Sequence, residues 1–498
     1  MQAGWARQLP ARWVSIAFLG IILVDCAVFA PSWSHTVRGD HISYLADTAR
    51  DSSWWDLVSN HYSYDRSRQF NRVATEYFRP VQFLLLGTER WLFGCRFALW
   101  QLVGFVLHLV IVWRLLKLLL RIRPTVVAPL LALFFSVMYF PLEQVIWHHL
   151  HGYLLLALLL VVTLEQILTH EQEGQASRWR LAAIGGLLLV GCFTHEVMIG
   201  MVPLFALYLA WVHPARTRQR ALPLLLMATA LLYAIASIAD YKLRGCVSTP
   251  DLEGAFTPTG TAANLTYSLF AWISGGLCPF FLHGITQERF QMWPAARLMS
   301  SPWLFYSVPT ALVVSVVGGL ASIARRRWSE TKPNARFAML VFAVLLAWCG
   351  LYTVVRFNTM GVDLGMAFGA YYSYPVWLLL LVGAHTLIDP LALGRAGRTV
   401  LAVGFVLSLA SNGWLSWRAN VDYRTWGAPR AALVAHVERM IRDGATPAEF
   451  RTFQWRHDVV GNQPMPQIQY DPDPDLFYTL PEALWPERFP CGRRGRPK

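Results

Sequence analysis

The sequence predicts an all-α polytopic membrane protein, and three observations carry that expectation. Of its 498 residues, 55% are hydrophobic and only 15% are charged, against the ~25% charged residues of soluble domains. The apolar residues gather in repeated runs long enough to cross a ~30 Å hydrocarbon core, which takes about 20 residues of helix. The arginines and lysines gather in short connections, while the long connections are charge-balanced, as they are when the two kinds face opposite sides of a bilayer.

The runs lie near residues 13–31, 97–120, 125–141, 147–168, 180–195, 197–213, 220–239, 302–323, 336–355, 366–388 and 398–417, which predicts a bundle of about eleven transmembrane helices. No small-residue cleavage site follows the first run, so it reads as an uncleaved anchor. Residues 264–284, "NLTYSLFAWISGGLCPFFLHG", contain a Gly pair and a Pro and read as a re-entrant or interfacial helix rather than a span. Between the runs the interior of the membrane is expected to be almost free of ionisable groups.

Charge distribution orients the chain. "WRLLKLLLRIRP" (113–124), "HPARTRQR" (213–220), "ARRRWSETKPNAR" (324–336) and "GRAGR" (394–398) are short and basic, the mark of cytoplasmic loops. The N-terminus is then inside, and loops 31–96 and 240–301 and the segment 418–498 are extracytoplasmic. The division is a transmembrane domain over 1–417 and an extracytoplasmic C-terminal segment over 418–498. The net charge of +13 is absorbed by these loops, which leaves no basic stripe for a nucleic acid. The seven cysteines show no metal-type spacing. Cys246 and Cys278 share an outside loop, either as a disulfide or as two thiols. In the C-terminal segment, Leu433, Val434, Val437, Met440 and Ile441 fall on one helical face, with Gly444 as the stop. The proline-rich and aromatic stretch after it is expected to pack on the outside loops.

The ionisable residues of the outer face are the functional candidates. Asp40 and His41 stand a few residues past the first span, in "SHTVRGDHISYLADTAR" (34–50). Arg79 lies in "EYFRPVQF" (76–83), Glu143, His148, His149 and His151 in "YFPLEQVIWHHLHGY" (139–153), and His195 and Glu196 in "CFTHEVMIG" (192–200). Such a set suits acid/base chemistry on a substrate delivered by lipid: a carboxylate as general base, and a guanidinium fork for phosphate oxygens. Each residue also has a plainer reading. Asp40 alone is a solvated loop acid, and Arg79 alone an interfacial anchor. His148 and His151, spaced i, i+3, offer a site for a divalent metal or are interfacial histidines. His195 and Glu196 cap the turn between two helices. Trp54, Trp55, Tyr62 and Tyr64 form an aromatic belt.

The order of these features resembles the GT-C superfamily of polyprenyl-phosphate-sugar-dependent glycosyltransferases, especially its protein O-mannosyltransferase-like branch. The match rests on Asp40 after helix one, then "YFRPVQFLLLGTERWLFG" (77–94), His108 followed by "WRLLKLLLR", "FPLEQV" with Glu143, and the His195–Glu196 pair. It covers residues 13–215. The chain departs from the family in having His41 where many members carry a second acid, and His–Glu in place of Lys–Glu. No tetratricopeptide period follows.

The resemblance implies a GT-C-like bundle and a sugar donor on a polyprenyl phosphate. Asp40 would be the base on an acceptor hydroxyl, and Arg79 would meet the leaving phosphate. Glu143, His148, His195, Glu196 and His41 would bind substrate, and the acceptor would be protein, lipid or polysaccharide. The arginine-, alanine- and leucine-heavy composition suggests the inner membrane of a bacterium. The alternatives are a polymerase or ligase of lipid-linked glycans, a flippase for such a glycan, or a scaffold. A flippase is expected to place its ionisable groups at mid-membrane.

Overall fold

The computed structural model describes residues 10–34, 53, 79–94, 96–173, 178–212, 226–231, 233, 235, 272–273, 276–277, 332–352, 372–388 and 394–446. Every regular element among them is helical. The Asp40–His41 motif, Trp54, Trp55, Tyr62, Tyr64, the expected span 302–323, both cysteines of loop 240–301 and the chain beyond residue 446 lie outside the described residues.

Helix α1 (Ala11–Phe29) runs into a 3-10 turn at Ala30–Ser34. Helix α2 (Pro80–Phe93) begins with proline in its first turn, where a missing N–H costs nothing. It ends at Gly94, whose N–H bonds back to the Arg90 carbonyl at 2.8 Å. Helices α3 (Phe97–Ile122) and α4 (Val127–Ser136) form the next pair. A short α5 (Glu143–Ile146) and a 3-10 turn at His148–Leu150 lead into α6 (His151–Glu173). Then come α7 (Arg178–Thr194), α8 (Val197–Val212), α9 (Lys332–Tyr352), α10 (Ser373–Leu387) and α11 (Arg395–Arg442).

Among the described residues, four stretches, Ala11–Ser34, Phe97–Ile122, His148–Glu173 and Arg395–Val421, are long and apolar enough to cross a membrane. Five further apolar helices are shorter. Helix α3 is the hub and packs against α4, α6 and α10; α6 packs on α7, α8 on α9, α9 on α10, and α1 on α4 and α11. Contacts between helix ends bring α2 together with the termini Thr194, Tyr352 and Ser373 at one end of the bundle. The other end collects Arg121, Arg123, Arg180 and Arg336. There Arg123 donates to the carbonyls of Thr386 and Ile388, Arg121 bonds Thr169, and Arg180 pairs with Glu173.

Three expectations change. The span drawn over 125–141 stops at Ser136 as an α-helix and yields to 3-10 geometry at Phe140–Leu142, where Pro141 interrupts the ladder. The last span and the amphipathic stretch after it are one 48-residue helix, α11, which runs on through Gly427 and Pro429. It ends as foreseen at Gly444, with φ of 85°. The interior is also less free of ionisable groups than expected: Asp25, His108 and an Arg114–Glu165 pair at 2.6 Å lie within the spans. A window average hides one polar residue per helical face, and pairing across helices offsets its burial. The Gly-rich segment 264–284 is seen at four helical residues. Trp272 is fully buried, its carbonyl accepts the Trp377 indole N–H at 2.8 Å, and the Gly276 carbonyl accepts from Asn412 at 2.8 Å.

Candidate functional site

The site is built at the α2 end of the bundle. Arg79 is the residue at which α2 begins, and Glu196 lies in the two-residue turn between α7 and α8. Though 117 positions apart, they meet: Arg79 Nε donates to Glu196 Oε2 at 2.7 Å and Nη2 to Oε1 at 2.5 Å. This two-bond fork is the geometry that a guanidinium offers a carboxylate or a phosphate. The third nitrogen, Nη1, reaches the Tyr153 hydroxyl at 3.5 Å, and the guanidinium lies 5.8 Å from the centre of that ring. Arg79 is 4% exposed and the Glu196 side chain 26%, so the open side of the pair is the carboxylate. Burial raises the Glu196 carboxyl, but the Arg79 guanidinium, with a further pull from His195, outweighs it and holds the group down at about 2.

His195 bridges this pair to an aromatic wall. Its Nδ1 accepts the Val197 backbone N–H at 3.2 Å and lies 3.6 Å from Glu196 Oε2, while Nε2 faces the Tyr352 hydroxyl at 3.3 Å. The turn-capping role is therefore real, and it coexists with a place in the cluster. The rings of Tyr153, Tyr352 and Tyr372 close round it, with Tyr352 and Tyr372 at 4.5 Å and Tyr153 and His195 at 4.8 Å.

A second set lies further along α2. Glu89 and His151 are buried, and the Nδ1 of His151 faces both carboxylate oxygens of Glu89, at 2.9 and 3.0 Å. Burial raises the Glu89 carboxyl, against the pull of His151. Gln82 donates to the His149 carbonyl at 3.3 Å, so α2 is held to the bundle by Arg79, Gln82 and Glu89 at successive levels.

His148 and His151 do approach, with ring centres 5.9 Å apart, but they do not share one helix. His148 sits in the 3-10 turn, with its ring parallel to Phe97 at 6.2 Å, and His151 opens α6. The Nε2 of His151 packs against Gly104. Among the described residues, no group of three His, Cys, Asp or Glu has the geometry of a metal site. Glu143 is half-buried at the head of α5, with its carbonyl taking the Trp147 N–H at 2.9 Å. Asp40 and His41 lie outside the described residues.

Sequence reasoning missed Glu89, Tyr153, Tyr352 and Tyr372. Each sits at the edge of an apolar run, where a tyrosine or a lone acid reads as an interfacial residue. What marks them is the partner on another helix.

Fold and site together define an integral membrane protein of the all-α, polytopic class, with a polar and aromatic cluster at one end of the bundle. No protein-family model matches the chain, and no curated protein matches it. Among solved structures, ArnT from Cupriavidus metallidurans bound to undecaprenyl phosphate aligns over 96% of this chain and 78% of that chain. Identity over the alignment is 15%, and the TM-score is 0.42.

Proposed function

We propose that the chain is a GT-C-type glycosyltransferase. It moves a sugar from a polyprenyl-phosphate donor to an acceptor hydroxyl on the extracytoplasmic face of a bacterial inner membrane, with inversion. The observation that carries this reading is the meeting of Arg79 with Glu196. Two motifs of the resemblance, far apart in sequence, supply the two halves of one buried fork beside His195.

In this reading Asp40 takes the proton of the acceptor hydroxyl as that oxygen attacks the anomeric carbon. The bond from the carbon to the phosphate oxygen breaks, and the lipid phosphate leaves with the electron pair. Glu196 occupies two guanidinium nitrogens and so fixes the plane of Arg79. Such a preset donor acts on charge that develops in the transition state rather than on the bound ground state. His148, His41 and Glu143 would line the approach of donor or acceptor. The basic end of the bundle faces the cytoplasm, in keeping with the positive-inside rule.

The experiment is transfer from radiolabelled polyprenyl-phosphate sugars in membranes, comparing wild type, Asp40→Asn and Arg79→Ala at equal expression. Wild type transfers label, and Asp40→Asn falls by ~10²–10⁴-fold. Full transfer by Asp40→Asn removes that residue from the reaction. A wild type silent with every donor favours a second reading, a flippase for a lipid-linked glycan, which has its own support in Asp25 and His108 inside the bundle.

A further inference from the structure

We propose that Asp25 is a proton-binding site within the membrane-embedded part of the bundle: its carboxyl carries one proton and is neutral, beside a neutral His108. Asp25 lies on α1 where α1, α3, α4 and α10 converge, and it is fully buried. Among the described residues neither of its oxygens has a hydrogen-bond partner. The one ion-pair partner in reach among them is His108, whose Nε2 is 3.9 Å from Oδ2, too far for a hydrogen bond.

The bonds of His108 can all be met without a charge. Its Nε2 faces the Ser136 carbonyl at 3.0 Å; a carbonyl only accepts, so Nε2 bears the hydrogen. Its Nδ1 faces the Tyr374 hydroxyl at 2.7 Å, which can donate to it. Both ring nitrogens are thereby satisfied in the uncharged imidazole, walled by Phe29, Phe135 and Tyr374. A carboxylate at Asp25 would then be a buried anion with no cation and at most the Ser136 hydroxyl, shared with the Leu133 carbonyl, as donor, a costly state for a side chain in a membrane.

The other elements packed on α1 do not change the balance. Ser136 on α4 directs its hydroxyl to the Leu133 carbonyl and also neighbours the Asp25 carboxyl, and Tyr374, bonded to His108, is the titratable group that α10 presents there. On α11, Asn420 donates to the Val28 carbonyl at 3.1 Å and Ser416 to the Val137 carbonyl at 2.8 Å. These are neutral groups with partners elsewhere. The site therefore holds a proton at rest and can release it only as a counter-charge arrives. This inference is independent of whether the chain transfers or moves a glycan.

The test is infrared difference spectroscopy of the full-length protein in lipid, with carbonyl-labelled aspartate and a pH titration. A protonated-carboxyl C=O band is expected near neutrality, shifted by the label and by D2O, and absent in Asp25→Asn. Since the amide matches a neutral acid in size and charge, D25N should fold with an unchanged melting temperature. Carboxylate bands alone near neutrality, or a protonated band that persists unchanged in D25N, would overturn the proposal. If D25N does not fold, Asp25→Glu keeps the acid: displacement of the band in that variant supports the assignment, and no displacement refutes it.

Discussion

At the scale of single residues, the Arg79–Glu196 pair makes the sharpest predictions. Breaking it with Glu196→Gln leaves a guanidinium buried without its counter-charge. The expected cost is about 2 kcal/mol, less than the ~3–5 of a fully buried pair because the carboxylate side is a quarter exposed. A double-mutant cycle with Arg79→Gln, read by unfolding in detergent, checks the coupling; additive effects would show that the fork contributes nothing. The pH dependence follows from the depressed Glu196 carboxyl. Its stabilisation is fully present above the unfolded-state value of ~4.3 and is lost as pH falls toward about 2. Wild type should thus keep a constant margin in melting temperature over Glu196→Gln at neutral pH, and the margin should shrink in acid. Arg79→Lys keeps the charge and loses the fork, so in the proposed reaction transfer should fall well below wild type.

At the scale of elements, helix α2 was the least legible. Its sequence, "PVQFLLLGTERWLF", sits in what reads as a polar outside loop, yet it is docked on α3, α6 and α7. Without a hydrophobic driving force between helices in lipid, close backbones and polar bonds decide such packing. Gly104 shows the first. A Cβ there would lie 2.6 Å from the Val145 carbonyl oxygen and 2.8 Å from His151 Nε2. Gly104→Ala should therefore cost about 1–3 kcal/mol by overpacking, seen as a lowered melting temperature. Gly20→Ala on α1, where nothing lies within 4 Å, should leave it unchanged. Glu89 shows the second. Glu89→Gln exchanges a charge-assisted bond to His151 for a weaker neutral one, with an expected loss of roughly 1 kcal/mol.

At the scale of the whole molecule, the helices sort the charged side chains into two ends. The basic end and the Arg79 end should therefore face opposite sides of the membrane. Single cysteines placed at Thr125, beside Arg123, and at Thr446, past the end of α11, test this in sealed vesicles. An impermeant thiol reagent should reach one from each side. Equal labelling from one side would place both ends together and undo the proposed orientation.

The sequence by itself determined the class of the protein, the positions of most spans, the stop at Gly444 and the candidate status of Arg79, His195 and Glu196. These are written in local composition: apolar runs of membrane length, a glycine after an amphipathic face, and ionisable groups at the ends of runs. Only the tertiary structure decided which of those groups meet. It joined Arg79 to Glu196 and tied Glu89 to His151. It enclosed Asp25 against His108, and merged the last span with the helix after it. Such pairings depend on which helices are neighbours and how far each is rotated about its axis. That rotation is set by small residues and polar bonds contributed from distant parts of the chain, and no single stretch of the sequence contains it.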